Sequence, residues 1–219
     1  DLHVRSRRQR QMCISDRGIR WFDCTVTGME AHAGPTPMAL RKDALLAATR
    51  IMQDVVAAAH RHPPHGRGTV GMVQVFPNSR NVIPGRIKFS IDLRNSTDTL
   101  VDAMAAEVKA FADQVAKEHG VQVHIEMVSS YPAQLFQPEC VQAVGRAAAK
   151  LGYSHMPAVS GAGHDAVYMA KLAPSGMIFI PCKDGISHNE IEDAKPEHIE
   201  AGCNVLLHAM LERAGLGAI

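Results

Sequence analysis

The chain has 219 residues, 46% hydrophobic and 21% charged, with a formal net charge of +1. This is the composition of a soluble globular chain long enough to bury a sizeable core. Near-neutrality offers nothing to nucleic acid or strongly acidic partners, and no segment reaches the roughly 18 apolar residues of a membrane span.

The start, "DLHVRSRRQRQMC", has no signal-peptide apolar core and no initiator Met, as expected of a chain that begins inside a longer protein. Its basic run "RSRRQR" (5–10) reads as a solvated tail rather than a nucleic-acid arm. From Arg20 the periodicities are clear. "RWFDCTVTG" (20–28) is aromatic and β-branched and closes on Gly28, so it predicts a strand. "RKDALLAATRIMQDVVAAAHR" repeats apolar residues at three- and four-residue steps, an amphipathic helix stopped by "HPPHGRG". Strands follow at 69–76 and 86–94; in the second, Ile87, Phe89, Ile91 and Leu93 alternate with Lys88, Ser90, Asp92 and Arg94. A helix over 99–120 ends on Gly120, and "VQVHIEMV" (121–128) alternates again.

The order is thus β-α-β-β-α-β, a ferredoxin-like split arrangement. It predicts a four-stranded antiparallel sheet with both helices on one face. The other face would expose Lys88, Ser90, Asp92 and Arg94 unless a partner covers it. After "SSYPAQLFQPE" come a helix at about 138–151, the turn "SGAGHDA" opening a short helix, the apolar run "GMIFIP" read as a buried strand, a loop, and a terminal helix over 196–213. This half offers one convincing core strand and looks like part of an α/β layer. The expected fold class is α+β.

Five cysteines (Cys13, Cys24, Cys140, Cys182, Cys203) are odd in number and scattered without a C-x-x-C pair. They fit reduced thiols of a cytoplasmic protein better than a disulfide framework or zinc ribbon.

Four loops could carry chemistry, each against a blander reading. In "EAHAGPTPM" (30–38), His32 is flanked by Ala31, Ala33 and Gly34, small enough for a ligand to approach, or it is an ordinary surface histidine. In "NSRNVIPG" (78–85), Asn81 beside Arg80 and Arg94 would suit an anion, Arg94 offering a planar fork to a carboxylate; alternatively Asn81 is a turn former and Arg94 is solvated. "SGAGHDA" (160–166) places His164 and Asp165 at a helix start, where N–H groups could hold an anion or Asp165 could simply favour the dipole. "DGISHN" (184–189) carries His188 as a loop residue or a metal ligand. The triple-histidine "HRHPPH" (60–65) reads as incidental.

Taken together, "GMEAHAGPTPMALRKDAL", "PNSRNVIPGRIKFSIDLRN", "SGAGHDA" and "GMIFIPCKDGISHN" resemble the carbamoylase/hydantoinase branch of the M20 metallo-amidohydrolases. This branch comprises N-carbamoyl-L-amino-acid hydrolases, β-ureidopropionases and allantoate amidohydrolases. The resemblance runs from about Gly18 to the C-terminus. It implies a lid and dimerisation domain over 18–131, the C-terminal part of a catalytic domain over 132–219, and an unmatched segment over 1–17. It further implies hydrolysis of the C–N amide bond of N-carbamoyl or ureido acids, small-molecule substrates, by a homodimer paired through its lids. The alternatives are an M20 aminoacylase or peptidase, or a non-catalytic dimerisation module.

Residue by residue, His188 matches the last metal ligand of the family. His32 matches the lid histidine that reaches a neighbouring subunit's site and stabilises charge on the scissile carbonyl. Asn81 and Arg94 match the pair that grips the substrate carboxylate, and Gly163 and His164 the loop lining the substrate pocket. The complete enzyme would hold two divalent ions, zinc or manganese, with cobalt and nickel as alternatives. The other ligands that the resemblance implies, an H-x-D pair, a bridging Asp, a Glu pair and a second His, have no counterpart here. The chain alone is therefore expected to be inactive.

Overall fold

A computed structural model describes residues 10–161, 163–187 and 189–216. In chain order the elements are β1 (Arg10–Asp16), β2 (Gly18–Thr27), β3 (Ala31–His32), α1 (Ala44–Arg61), β4 (Arg67–Thr69), β5 (Val73–Phe76), β6 (Val82–Ile83), β7 (Arg86–Asn95), α2 (Asp98–His119) and β8 (Gln122–Tyr131). Then follow β9 (Gln134–Leu135), α3 (Pro138–Lys150), β10 (His155–Val159), α4 (Asp165–Met169), β11 (Met177–Phe179) and α5 (Pro196–Arg213), with short 3-10 turns at Met38–Leu40 and Lys183–Gly185. They form two compact units: Arg17–Ala133, and residues 10–16 together with 134–216.

In the first unit the strands run in the order β4–β7–β2–β8, every neighbouring pair antiparallel, with β5 also on β7. The two-residue alternation read from the sequence separates its faces. Phe22, Cys24 and Val26 of β2 and Ile87, Phe89, Ile91 and Leu93 of β7 are buried; Trp21, Asp23 and Lys88 are exposed. Helices α1 and α2 both pack on β2 and β7 and on each other, closing the core with Ala47, Ile51, Val55, Met104, Val108 and Val115. Burying a valine, isoleucine or methionine side chain contributes about 1.5–3 kcal/mol.

The helix ends have local causes. The carboxylate of Asp43 accepts the N–H groups of Leu45 (2.9 Å) and Leu46 (3.1 Å), so α1 starts after this cap, inside the stretch the periodicity marks as helical. Thr97 caps α2 through the Leu100 N–H (3.3 Å), and Gly120 ends it in the left-handed region at φ 62°.

The single strand expected over 69–76 is two. From Asp92 to Phe89, β7 advances three residues while its partner advances four, from Thr69 to Val73. The extra residue is a bulge. Ser90 closes it, its N–H donating to the Met72 carbonyl (3.1 Å) and its hydroxyl accepting the Met72 N–H (3.1 Å).

In the second unit β1 is the middle strand of β10–β1–β11, parallel to β10 and antiparallel to β11, and also pairs with β9. Residues 10–16, which the sequence reading leaves unassigned, thus form the centre of a sheet where one core strand was expected. α3 and α5 pack through small residues, Ala143, Val144, Ala147 and Ala148 against Val205 and Ala209. Residues 177–180, expected to be buried, are half-buried, because β11 is an edge of the described sheet.

Candidate functional site

His32 ends the two-residue strand β3. It pairs with Val82 of β6, and the Ala33 N–H donates to the Asn81 carbonyl at 2.8 Å. This short ladder continues that of β2 and β7 past Gly28 and Gly85, whose N–H···O=C bond is 2.8 Å. The approach there admits only glycine: a Cβ on Gly28 would lie 2.0 Å from the Lys42 carbonyl oxygen. Ladder and glycines together set His32 opposite Val82, one register step from Asn81.

Both side chains are oriented locally. The Gly34 N–H donates to His32 Nδ1 (3.0 Å), so the neutral imidazole carries its proton on Nε2. The Ser79 hydroxyl donates to Asn81 Oδ1 (2.9 Å), which turns the carboxamide so that Nδ2 supplies its donors. His32 and Asn81 are exposed. The loop after His32 is shaped by Arg41, whose guanidinium donates to the carbonyls of Ala33 (2.6 Å) and Thr36 (3.0 and 3.1 Å). Sequence reasoning missed Ser79 and Arg41; the only trace of Ser79 was a hydroxyl two residues before an asparagine in a turn.

Arg94 lies on the outward face of β7, opposite Ile19 of β2 and Arg67 of β4. Its Nε and Nη2 hold the Asp92 carboxylate at 2.7–3.2 Å. Two-residue alternation already puts Asp92 on the same face as Arg94, but its pairing with that guanidinium was not read from the sequence. The structure does not bring Asn81 to Arg94. Asn81 sits beyond the Arg86 end of β7; Arg94 is eight residues along that strand, about 26 Å at strand rise. The anion cluster expected of Asn81, Arg80 and Arg94 does not form, because an extended strand separates its members.

In the other unit, His164 is the residue before α4 in extended backbone, its carbonyl accepting the Val167 N–H at 3.0 Å. Its ring lies 5.6 Å from that of Phe179, tilted by 56°. A Cβ on Gly163 would meet nothing within 4 Å, so packing does not require glycine there. His188 lies outside the described residues. Among the described residues no three His, Cys, Asp or Glu side chains gather as a metal centre would need, so they do not fit a two-metal site by themselves. No described helix is long and apolar enough to cross a membrane.

Residues 20–212 match the family described as Peptidase family M20/M25/M40. The chain belongs to this family. Members of the M20 family that act as amidohydrolases are generally metal-dependent. The chain is 46% identical over 198 residues to an N-carbamoyl-L-amino-acid amidohydrolase of Rhizobium meliloti, covering 90% of this chain and 48% of that protein. It is 29% identical over 221 residues to the allantoate amidohydrolase of Bacillus subtilis (strain 168), covering 98% and 54%. Among solved structures, an amidase of the hydantoinase/carbamoylase family from Burkholderia multivorans superposes with a TM-score of 0.92 at 50% identity, covering 99% of this chain and 52% of that one. The mixed α/β fold is therefore that of carbamoylase-family M20 structures, and the chain spans about half the length of the curated relatives it matches.

Proposed function

We propose that this M20 chain is the C-terminal part of a metal-dependent enzyme that hydrolyses the C–N amide bond of N-carbamoyl or related ureido acids. The feature that carries the reading is that His32 of β3 and Asn81, the residue before β6, stand one register step apart on the same short ladder, each side chain turned by its own hydrogen bond to present N–H donors. Donors of this kind stabilise the negative charge that develops on a carbonyl oxygen during amide hydrolysis. The kinship to N-carbamoyl-L-amino-acid amidohydrolases supports the substrate class.

On this reading residues 17–133 are the ferredoxin-like lid, supported by the β-α-β-β-α-β order and the antiparallel sequence β4–β7–β2–β8. His32 Nε2–H and Asn81 Nδ2–H engage the carbamoyl and acid ends of the substrate, while the Arg94 fork binds its carboxylate. A ureido acid is far shorter than the stretch of β7 between the two groups. One substrate therefore meets His32 and Asn81 of one lid and Arg94 of another, which requires a homodimer. Gly163 and His164 line the pocket, and His188 supplies one metal ligand; the two divalent ions, zinc or manganese, need the remaining ligands from polypeptide outside this chain.

The test is hydrolysis of N-carbamoyl amino acids with added Mn²⁺ or Zn²⁺. The 219-residue chain should be inactive, and a polypeptide joining it to the half of the Rhizobium meliloti protein it does not cover should be active. Mixing His32→Ala and Arg94→Ala subunits of that polypeptide should restore about one quarter of the activity, because half of randomly formed dimers are mixed and each regains one of two sites. Absence of recovery in confirmed mixed dimers would refute the two-subunit site.

A further inference from the structure

The peptide that joins Ala33 to Gly34 is held from both sides. Its carbonyl accepts a hydrogen bond from Arg41 Nη2 at 2.6 Å, and its N–H donates to His32 Nδ1 at 3.0 Å. In a trans peptide these two groups point in opposite directions within one plane, so guanidinium and imidazole hold opposite edges of a single rigid plate. The preceding peptide is fixed as well, because the Ala33 N–H donates to the Asn81 carbonyl at 2.8 Å. The ring lies against the backbone it bonds: a Cβ on Gly34 would meet His32 Nδ1 and Cε1 at 3.4 Å.

Arg41 has a firm base. The neighbouring Lys42 carbonyl accepts the Met29 N–H at 2.9 Å, which ties this end of the loop to the chain just before β3. From there the half-buried Arg41 side chain reaches back across the loop, its Nε and Nη2 also donating to the Thr36 carbonyl at 3.1 and 3.0 Å. Pro35 and Pro37 have no N–H with which to satisfy these carbonyls. The planar fork of an arginine serves two carbonyls three residues apart; a lysine offers a point charge without that geometry.

A donor on a peptide oxygen polarises that group and strengthens its N–H as a donor in turn. An imidazole nitrogen that accepts a hydrogen bond cannot carry the proton of the neutral ring, so the bond to Nδ1 leaves that proton on Nε2. Resting on the reading of His32 as the donor to the scissile carbonyl, we infer that Arg41 is a positioning residue of the same site. Through the Ala33–Gly34 peptide it sets the orientation of the His32 ring and keeps Nε2 the protonated nitrogen.

The tautomer can be read in the 219-residue chain by NMR of the ring nitrogens at alkaline pH, with the His32 signals identified by their loss in His32→Gln. Wild type should show one tautomer, with no proton on Nδ1. Arg41→Ala and Arg41→Lys should both populate the Nδ1–H form, bringing the two ring-nitrogen shifts closer together, and should speed hydrogen exchange of the Gly34 amide. Trp21 fluorescence checks that the unit is still folded. A His32 ring that keeps its single tautomer in Arg41→Ala would overturn the inference by itself.

Kinetics then test the role in the active polypeptide that joins this chain to its relative's uncovered half. Arg41→Ala should lower kcat and kcat/KM for an N-carbamoyl amino acid alike, by about tenfold, with KM within about twofold; this is the pattern of an interaction made only in the transition state. Added to His32→Ala, the same change should cost less than about twofold more, because no ring remains to be positioned. A further loss of about tenfold in that background would mark a general structural role and overturn the inference. If His32→Ala cripples the enzyme while Arg41→Ala is silent, only the positioning role fails. If His32→Ala is also silent, the reading of His32 itself fails.

Discussion

Removing the guanidinium of Arg20 offers a sharp test of how the first unit is held together. The Arg20 side chain is 8% exposed and sits where β2 passes the first turn of α2. It donates to Asp98 Oδ1 (2.9 Å), to Asp102 Oδ1 (2.9 Å), and to the carbonyls of Ile19 and Tyr131 (3.1 Å each). Burial opposes its charge, but the hydrogen bonds it donates to the two aspartates, with their negative charge, outweigh that and raise its pKa above the ordinary arginine value. Breaking a fully buried ion pair costs about 3–5 kcal/mol. Here Asp98 and Asp102 are 41% and 58% exposed and rehydrate, so Arg20→Met, which keeps the packing of the stem, should cost about 2–3 kcal/mol. The readout is built in. Trp21, the chain's one tryptophan, belongs to this unit and packs against Tyr131, so its fluorescence in a urea titration reports unfolding there. The midpoint should fall with the slope unchanged. A loss below about 1 kcal/mol would show that the four contacts are an exposed, replaceable cluster and refute the reasoning.

Other consequences are measurable on the same chain. Burial pushes the Cys24 thiol up to about 12, so alkylation at pH 8 should label exposed Cys203 and spare Cys24 until the unit unfolds; prompt labelling of Cys24 would contradict the burial. Glu107 is held below the usual carboxylate range first by the hydrogen bond from His62 (2.7 Å), against an opposing push from burial, and then by Arg61 (2.9 Å). A depressed carboxyl contributes stability above its unfolded pKa and loses it as pH falls through the folded one. Glu107→Gln should therefore cost at most about 1 kcal/mol at pH 7, given a side chain over a third exposed, and progressively less as pH falls below the usual carboxylate range; an undiminished difference at low pH would exclude the charge as its source. Gly28→Ala would drive a Cβ into the Lys42 carbonyl and should cost about 1–3 kcal/mol, whereas wild-type stability would show that the turn before His32 relaxes freely.

Much of the first unit is legible in one dimension because two periods dominate it. β2 and β7 alternate without interruption, and α1 and α2 carry apolar residues at helical spacing with capping residues at their starts. What escapes is local geometry with no period. The bulge between β4 and β5 adds one residue, too little to break an apolar run that reads as a single strand. β10 contains Pro157, which argues against a central strand but is tolerated at the sheet edge it occupies. β1 is mostly polar, and only its partners β9, β10 and β11, all far away in sequence, make it a strand.

The candidate site divides along the same line. Residue types and spacing pointed to His32, Asn81 and Arg94, but adjacency along the chain misled about adjacency in space. Asn81 and Arg94 are 13 residues apart in sequence. They are held at opposite ends of one extended strand because β7 contributes alternate residues to the core and cannot fold back without abandoning Ile87, Phe89, Ile91 and Leu93. The hydrophobic face thus dictates the separation on the polar face. Any small ligand that uses both groups must bridge two copies of the sheet. On the function proposed above, the need for a second copy of the chain comes from the core that folds the strand, before any interface is considered.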